Sequence, residues 1–229
     1  MRADGLEAIV FDFDGVIIDT ETPEYVSWQE VFRSHGVELD WAVWSRLVGT
    51  RAEDFDMLDH LEELVGRPVN RRSVEERRRR LDRELIERAP LLPGVLDYIR
   101  AARDMGLRLG VASSSSRRWV VGHLERRGLL QYFQVVRAAD DVERVKPDPE
   151  LYLSALESLG AAPEGAVAIE DSPNGIAAAV EAGLFCVAVP NPITRRMDLG
   201  RAHLRLDSLA RLPLPSLLER VATLRRPAP

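Results

Sequence analysis

The pattern that most constrains this chain is a run of short apolar segments, each followed by a helix-forming stretch and each ending in polar residues. Glu7 to Phe11 reads as a buried strand that stops at Asp12-Phe13-Asp14-Gly15. After Leu92-Pro93-Gly94, further strands are expected at Leu107–Ala112, Gln134–Arg137, Ala166–Ile169 and Phe185–Val189. Helices are expected between them at Val95–Met105, Arg117–Arg127, Pro149–Leu159 and Asn174–Ala182. Strand and helix alternating at this spacing predict an α/β fold, a doubly wound and mainly parallel sheet with helices on both faces.

Between the first strand and the rest lies a stretch with helical spacing only, at Glu24–His35, Trp41–Leu47, Ala52–Val65 and Ser73–Arg88. The predicted organisation is therefore an α/β core formed by residues 1–19 and 90–229, interrupted by a small helical unit at 20–89. Glu75 with Arg79, Glu76 with Arg80 and Glu84 with Arg88 are each four apart, which reads as a solvated helix face.

In an open parallel sheet, ligands bind outside the carboxyl ends of the strands. Those ends carry Asp12 and Asp14, then Ser113-Ser114-Ser115, then Val145-Lys146-Pro147-Asp148 in a later loop, and Glu170-Asp171-Ser172. If the first strand continued, Asp12 and Asp14 would point to the same face, and Gly15 would let the backbone turn away. Asp12, Asp14, Glu170 and Asp171 in one crevice repel each other unless a cation neutralises them. An all-oxygen donor set without His or Cys favours Mg²⁺. With Ser113 and Lys146 beside it, the arrangement suits phosphoryl transfer, with Asp12 as nucleophile and Asp14 as acid and base.

The count of basic residues sharpens the lysine. Of the 31 Lys and Arg residues only Lys146 is lysine. A position that keeps lysine in so arginine-biased a chain suits a compact point charge better than a planar fork.

These motifs resemble, in order and spacing, the four motifs of the haloacid dehalogenase superfamily: Asp12 to Thr20, Ser113, Val145 to Pro149 and Ile169 to Gly175. The helical block resembles that family's small cap, and the whole is most similar to the branch of β-phosphoglucomutases and phosphoglycolate phosphatases. The resemblance implies an Mg²⁺-dependent phosphatase acting on a small phosphorylated metabolite, such as a sugar phosphate. It assigns Asp12 as nucleophile, Asp14 as acid/base and metal ligand through its main-chain carbonyl, Ser113 and Lys146 to the phosphoryl group, and Asp171 with Glu170 to the metal. Ser114 and Arg117 are candidates for phosphate or leaving-group contacts, Arg51 for a second anionic group, and Glu21 and Glu24 for substrate hydroxyls. The mutases usually carry a histidine where this chain has Glu24, and their cap lysine is missing here, so hydrolysis is favoured over mutase activity. A non-enzymatic aspartyl-phosphate switch or a binding protein is the alternative of another class.

Composition excludes other classes. A net charge of −6 supplies no basic surface for nucleic acid or anionic membranes. No apolar stretch is long enough to span a bilayer. Cys186 is the sole cysteine, and the four histidines lack zinc spacing. A cytoplasmic monomer is expected.

Overall fold

The computed structural model describes residues 5–45 and 55–225. Arg51, the candidate for a second anionic group, lies outside the described residues. The chain divides into two compact units, Met1–Ile17 with Leu91–Pro229, and Ile18–Pro90.

In chain order, β1 (Ala8–Phe11) opens the first unit. The second unit holds α1 (Glu21–Ser34), α2 (Trp41–Trp44), α3 (Met57–Val65) and α4 (Arg71–Arg88). The first unit resumes with α5 (Val95–Asp104), β2 (Arg108–Ala112), α6 (Arg117–Arg126) and β3 (Val135–Arg137). It continues with α7 (Glu150–Leu159), β4 (Ala166–Glu170), α8 (Pro173–Glu181), β5 (Phe185–Ala188), β6 (Leu204–Arg205) and α9 (Leu214–Arg225).

The six strands form one parallel sheet in the order β3-β2-β1-β4-β5-β6. The chain winds outward in one direction from β1 to β3 and in the other from β4 to β6, so strand order reverses between β1 and β4, where such sheets form their ligand crevice. Register brings the strand ends together there: Phe11 lies opposite both Val111 and Ile169, so β2 and β4 each run one residue past the end of β1.

Side chains alternate across the sheet as the pleat requires. Ala8, Val10, Ala166, Ala168, Cys186 and Ala188 belong to one buried cluster with residues of α7 and α8, including Tyr152, Ala155, Ile176, Ala178 and Ala179. Small side chains on both sides of this layer let the two helices lie close to the strands. Phe11 belongs to the other face and meets Phe133 edge-on at 6.1 Å between centroids.

In the helical unit, Trp28, Val31 and Phe32 of α1 and Val74 and Ile86 of α4 are buried. Tyr25 packs against Trp41 and Trp44, and the Arg78 guanidinium lies 4.8 Å above the Trp28 ring. The expected Glu75–Arg79 pair forms at 2.8 Å, while Glu76 pairs with Arg72 rather than Arg80.

Two elements were not expected. β6 has two residues, too few for any periodicity to register. α9 buries Leu214, Leu217, Leu218 and Val221, a helical spacing that is present in the sequence but is bracketed by Pro213 and Pro215. Proline in a first helical turn is compatible with a helix start.

Candidate active site

β1 ends at Phe11, and the chain then turns sharply: the main-chain N–H groups of Val16 and Ile17 both donate to the Phe13 carbonyl, and Gly15 adopts a left-handed φ of 77°. The strand therefore stops before Asp14, and the two carboxylates bond different partners. A side chain at Gly15 would place its Cβ 2.4 Å from Asp171 Oδ2, so only glycine lets this turn approach so closely.

Asp12 meets Lys146, whose Nζ donates to Asp12 Oδ1 at 2.7 Å and to Glu170 Oε1 at 2.6 Å. The lysine side chain is 6% exposed and Glu170 is fully buried. Burial pushes the Asp12 carboxyl above its ordinary range; Lys146 pulls it back, and the charges of Glu170 and Asp14 push it further up. Burial opposes the charge on Lys146, but Asp12 and Glu170 outweigh it and hold the ammonium firmly protonated.

Glu170 is anchored on both oxygens. Tyr152 donates its phenol to Oε1 at 2.7 Å, and Oε2 accepts from the Asp171 N–H at 3.0 Å and from Ser172. Burial keeps the Tyr152 phenol protonated, and nearby Glu170 adds to that effect, so it stays a donor. The first turn of α8 lies against this carboxylate: a Cβ at Gly175 would sit 1.9 Å from Glu170 Oε1. Gly175→Ala is therefore expected to destabilise the fold by about 2 kcal/mol or more, because buried carboxylate and helix backbone would both have to shift. A thermal midpoint equal to that of the parent protein would refute this reading.

Asp171 accepts from Asn191 Nδ2 at 2.7 Å and from Thr194 Oγ1 at 3.2 Å. Both partners are buried and come from the turn after β5. One carboxylate oxygen each from Asp12, Glu170 and Asp171 lies within 4.8 Å of the other two, a grouping able to hold a metal ion.

The Asp14 carboxylate is not part of that grouping. Its Oδ2 accepts from Ser115 Oγ at 2.6 Å and Ser113 Oγ at 3.2 Å, and its Oδ1 accepts from the Trp119 indole N–H at 2.9 Å. Ser113 thus bonds Asp14 and also accepts from the Ser115 N–H. Ser114 is exposed. The Arg117 guanidinium donates to the Val136 carbonyl and the Asp141 carboxylate, each at 3.0 Å, and its main-chain N–H donates to Asp140. Glu21 and Glu24 occupy the first turn of α1, where the helix dipole favours acidic groups.

Tyr152, Trp119, Asn191 and Thr194 were not singled out in the sequence, and Ser115 was named only as part of the strand end Ser113-Ser114-Ser115. Asn191-Pro192 following an apolar strand was a usable turn signal at a strand end; Tyr152, Trp119 and Thr194 carried none.

A model of haloacid dehalogenase-like hydrolases matches residues 9–189. The chain belongs to this family. The Bacillus subtilis protein YhcW, named provisionally as a phosphatase, is 45% identical over 214 residues, covering 93% of this chain and 97% of its own. A Thermotoga maritima phosphatase of phosphorylated carbohydrates is 33% identical, covering 90% of this chain and 93% of its own. The crystal structure of CbbY from Rhodobacter sphaeroides with phosphate superposes with a TM-score of 0.70 at 31% identity, covering 93% of this chain and 99% of that one. Family membership and these relatives identify the chain as a haloacid dehalogenase-like hydrolase of the branch that contains phosphatases and β-phosphoglucomutases.

Proposed function

We propose that this protein is an Mg²⁺-dependent phosphatase of a small phosphorylated carbohydrate or similar metabolite, working through a phosphoryl group carried on Asp12. The observation that carries the proposal is the buried lysine bridging Asp12 and Glu170 at the carboxyl ends of β1 and β4. The relatives named for phosphatase activity on phosphorylated carbohydrates support the substrate class.

In the first half-reaction an Asp12 oxygen forms a bond to phosphorus while the bond from phosphorus to the leaving oxygen breaks, and Asp14 gives that oxygen a proton. In the second, water attacks the same phosphorus, Asp14 takes the water's proton, and the bond to Asp12 breaks to return the free carboxylate. Lys146 offsets charge on the phosphoryl oxygens, as does the Ser113 hydroxyl once it turns from Asp14. Burial and the neighbouring carboxylates disfavour the ionised form of the nucleophile more than Lys146 alone offsets, so a further positive charge beside it would favour that form. The oxygen-only donors of Asp12, Glu170 and Asp171 fit Mg²⁺, which when bound would supply neutralising charge, and the main-chain carbonyl of Asp14 would join them as the family resemblance implies. The helical unit Ile18–Pro90 acts as the cap that selects substrate. The single buried cysteine suits a cytoplasmic setting, and a monomer suffices for this chemistry.

The test is phosphate release from a panel of sugar phosphates, phosphoglycolate and nucleotides, with Mg²⁺ and with EDTA. Release is expected to be highest on a sugar phosphate and to fall on the order of 100-fold or more in EDTA. EDTA-insensitive release would refute the metal requirement. No release from any compound would refute the phosphatase reading.

A further inference from the structure

Asp14 must carry a proton in one half-reaction and lose it in the other, and the proton has two oxygens to choose from. Their partners are chemically unequal. Ser113 and Ser115, on Oδ2, are hydroxyls that can rotate from donating to accepting. Trp119, on Oδ1, has an N–H that can only donate. A proton on Oδ1 would face that N–H, whereas a proton on Oδ2 finds an acceptor as soon as one serine turns.

We propose that Trp119 is the positioning residue that directs the Asp14 proton to Oδ2 and holds the carboxyl in place to deliver it to the leaving group. The inference rests on Asp14 being the acid and base of the reading above.

The indole is itself fixed at both ends. The Trp119 main-chain N–H donates to the side chain of Ser116, the N-cap of α6, at 3.3 Å. Its ring meets the buried His123 ring near edge-on at 4.3 Å. His123 rests in turn against Phe13 at 6.0 Å, and its Nδ1 lies 2.9 Å from Arg127 Nη1. Phe13 is the residue between the two aspartates, so the support closes on the same turn that presents Asp14. A rigid bicyclic ring pinned in this way fixes the direction of its N–H better than a freely rotating hydroxyl does.

Trp119→Phe removes the donor and keeps an aromatic ring over His123. The measurement is kcat/KM for p-nitrophenyl phosphate, whose leaving group needs no proton, and for an alkyl phosphate, whose leaving group does. Asp14→Asn is run in parallel. kcat/KM extends only through the first phosphoryl transfer, so the ratio of the two substrates isolates proton donation. A loss of folded protein lowers both values alike and leaves the ratio unchanged. Trp119→Phe is expected to lower the alkyl value about tenfold and the aryl value less than about twofold, the size of one lost hydrogen bond to a charged group. Asp14→Asn is expected to show the same asymmetry, larger. If Asp14→Asn shows it and Trp119→Phe changes the ratio by less than about twofold, the role of Trp119 is overturned. If Asp14→Asn lowers both substrates equally, the acid role of Asp14 fails and the role of Trp119 fails with it.

Discussion

Asp12→Asn is expected to lower phosphate release by at least about 1,000-fold while leaving the protein as stable as the parent, or more stable, in metal-free buffer. Loss of activity follows from chemistry: an amide lacks the nucleophilic carboxylate oxygen, and Lys146, Ser113 and Asp171 cannot replace it. The stability half of the prediction follows from burial. Lys146 sits between two carboxylates, Asp12 and Glu170, so removing the Asp12 charge leaves a balanced pair of Lys146 and Glu170. The Asn side-chain oxygen still accepts from Lys146 where Asp12 Oδ1 does now, at 2.7 Å. Replacing one member of an over-supplied buried charge group by a neutral isostere is commonly neutral or stabilising.

The sign of the pH dependence can be worked out. In the fold the Asp12 carboxyl is raised above its ordinary value of 3.8, so the folded protein holds that proton more tightly than the unfolded chain does. The contribution of Asp12 to stability is then greatest at acid pH and is lost as pH rises through its folded titration. The asparagine variant lacks this loss, so its advantage should be least near pH 4 and widen toward neutrality. Mg²⁺ should narrow or reverse the gap, because only the parent keeps the Asp12 oxygen for the ion. Thermal midpoints between pH 4 and 8, with EDTA and with Mg²⁺, test this. A variant clearly less stable than the parent at neutral pH in EDTA would show that Asp12 is a net structural asset.

What the sequence revealed and what it hid divide along a physical line. Asp12, Lys146, Glu170 and Asp171 were legible because each follows an apolar strand or sits in a loop of polar residues, where a charged group signals a strand end. Whether their side chains converge depends on register, and here Phe11, Val111 and Ile169 fall level. The residues that orient them were hidden. Tyr152 lies on the buried face of α7, where periodicity registers an aromatic core residue and says nothing about where its hydroxyl points. Four consecutive serines do not indicate which hydroxyl reaches Asp14; the structure uses Ser115 and Ser113. That Asp14 and Asp12 bond different partners goes with the Gly15 turn, which strand alternation does not describe.

Lys146 carries the second large prediction, because charge and shape can be removed separately. Lys146→Met keeps an unbranched apolar chain and deletes the ammonium, leaving Asp12, Glu170 and Asp171 without their buried cation. Breaking a buried ionic group in this way costs about 3–5 kcal/mol at neutral pH without metal. Part of that loss should return as pH falls, since carboxyls stripped of their cation hold protons more tightly in the fold than in the unfolded chain. Lys146→Arg restores the charge in a different form. Nζ now lies 2.7 Å from Asp12, 2.6 Å from Glu170 and 5.0 Å from the centre of the Tyr152 ring, a narrow slot bounded by these three groups. A planar guanidinium is wider than this slot and cannot present one point charge to both carboxylates and a phosphoryl oxygen together. The arginine variant should therefore recover much of the stability lost in the methionine variant, yet remain at least about 100-fold below the parent in phosphate release. Parent-like rates in Lys146→Arg would mean that charge alone is sufficient and that the lone lysine of this arginine-rich chain has no special task. Equal instability in both variants would mean instead that shape, rather than charge, holds β1 and β4 together at their carboxyl ends.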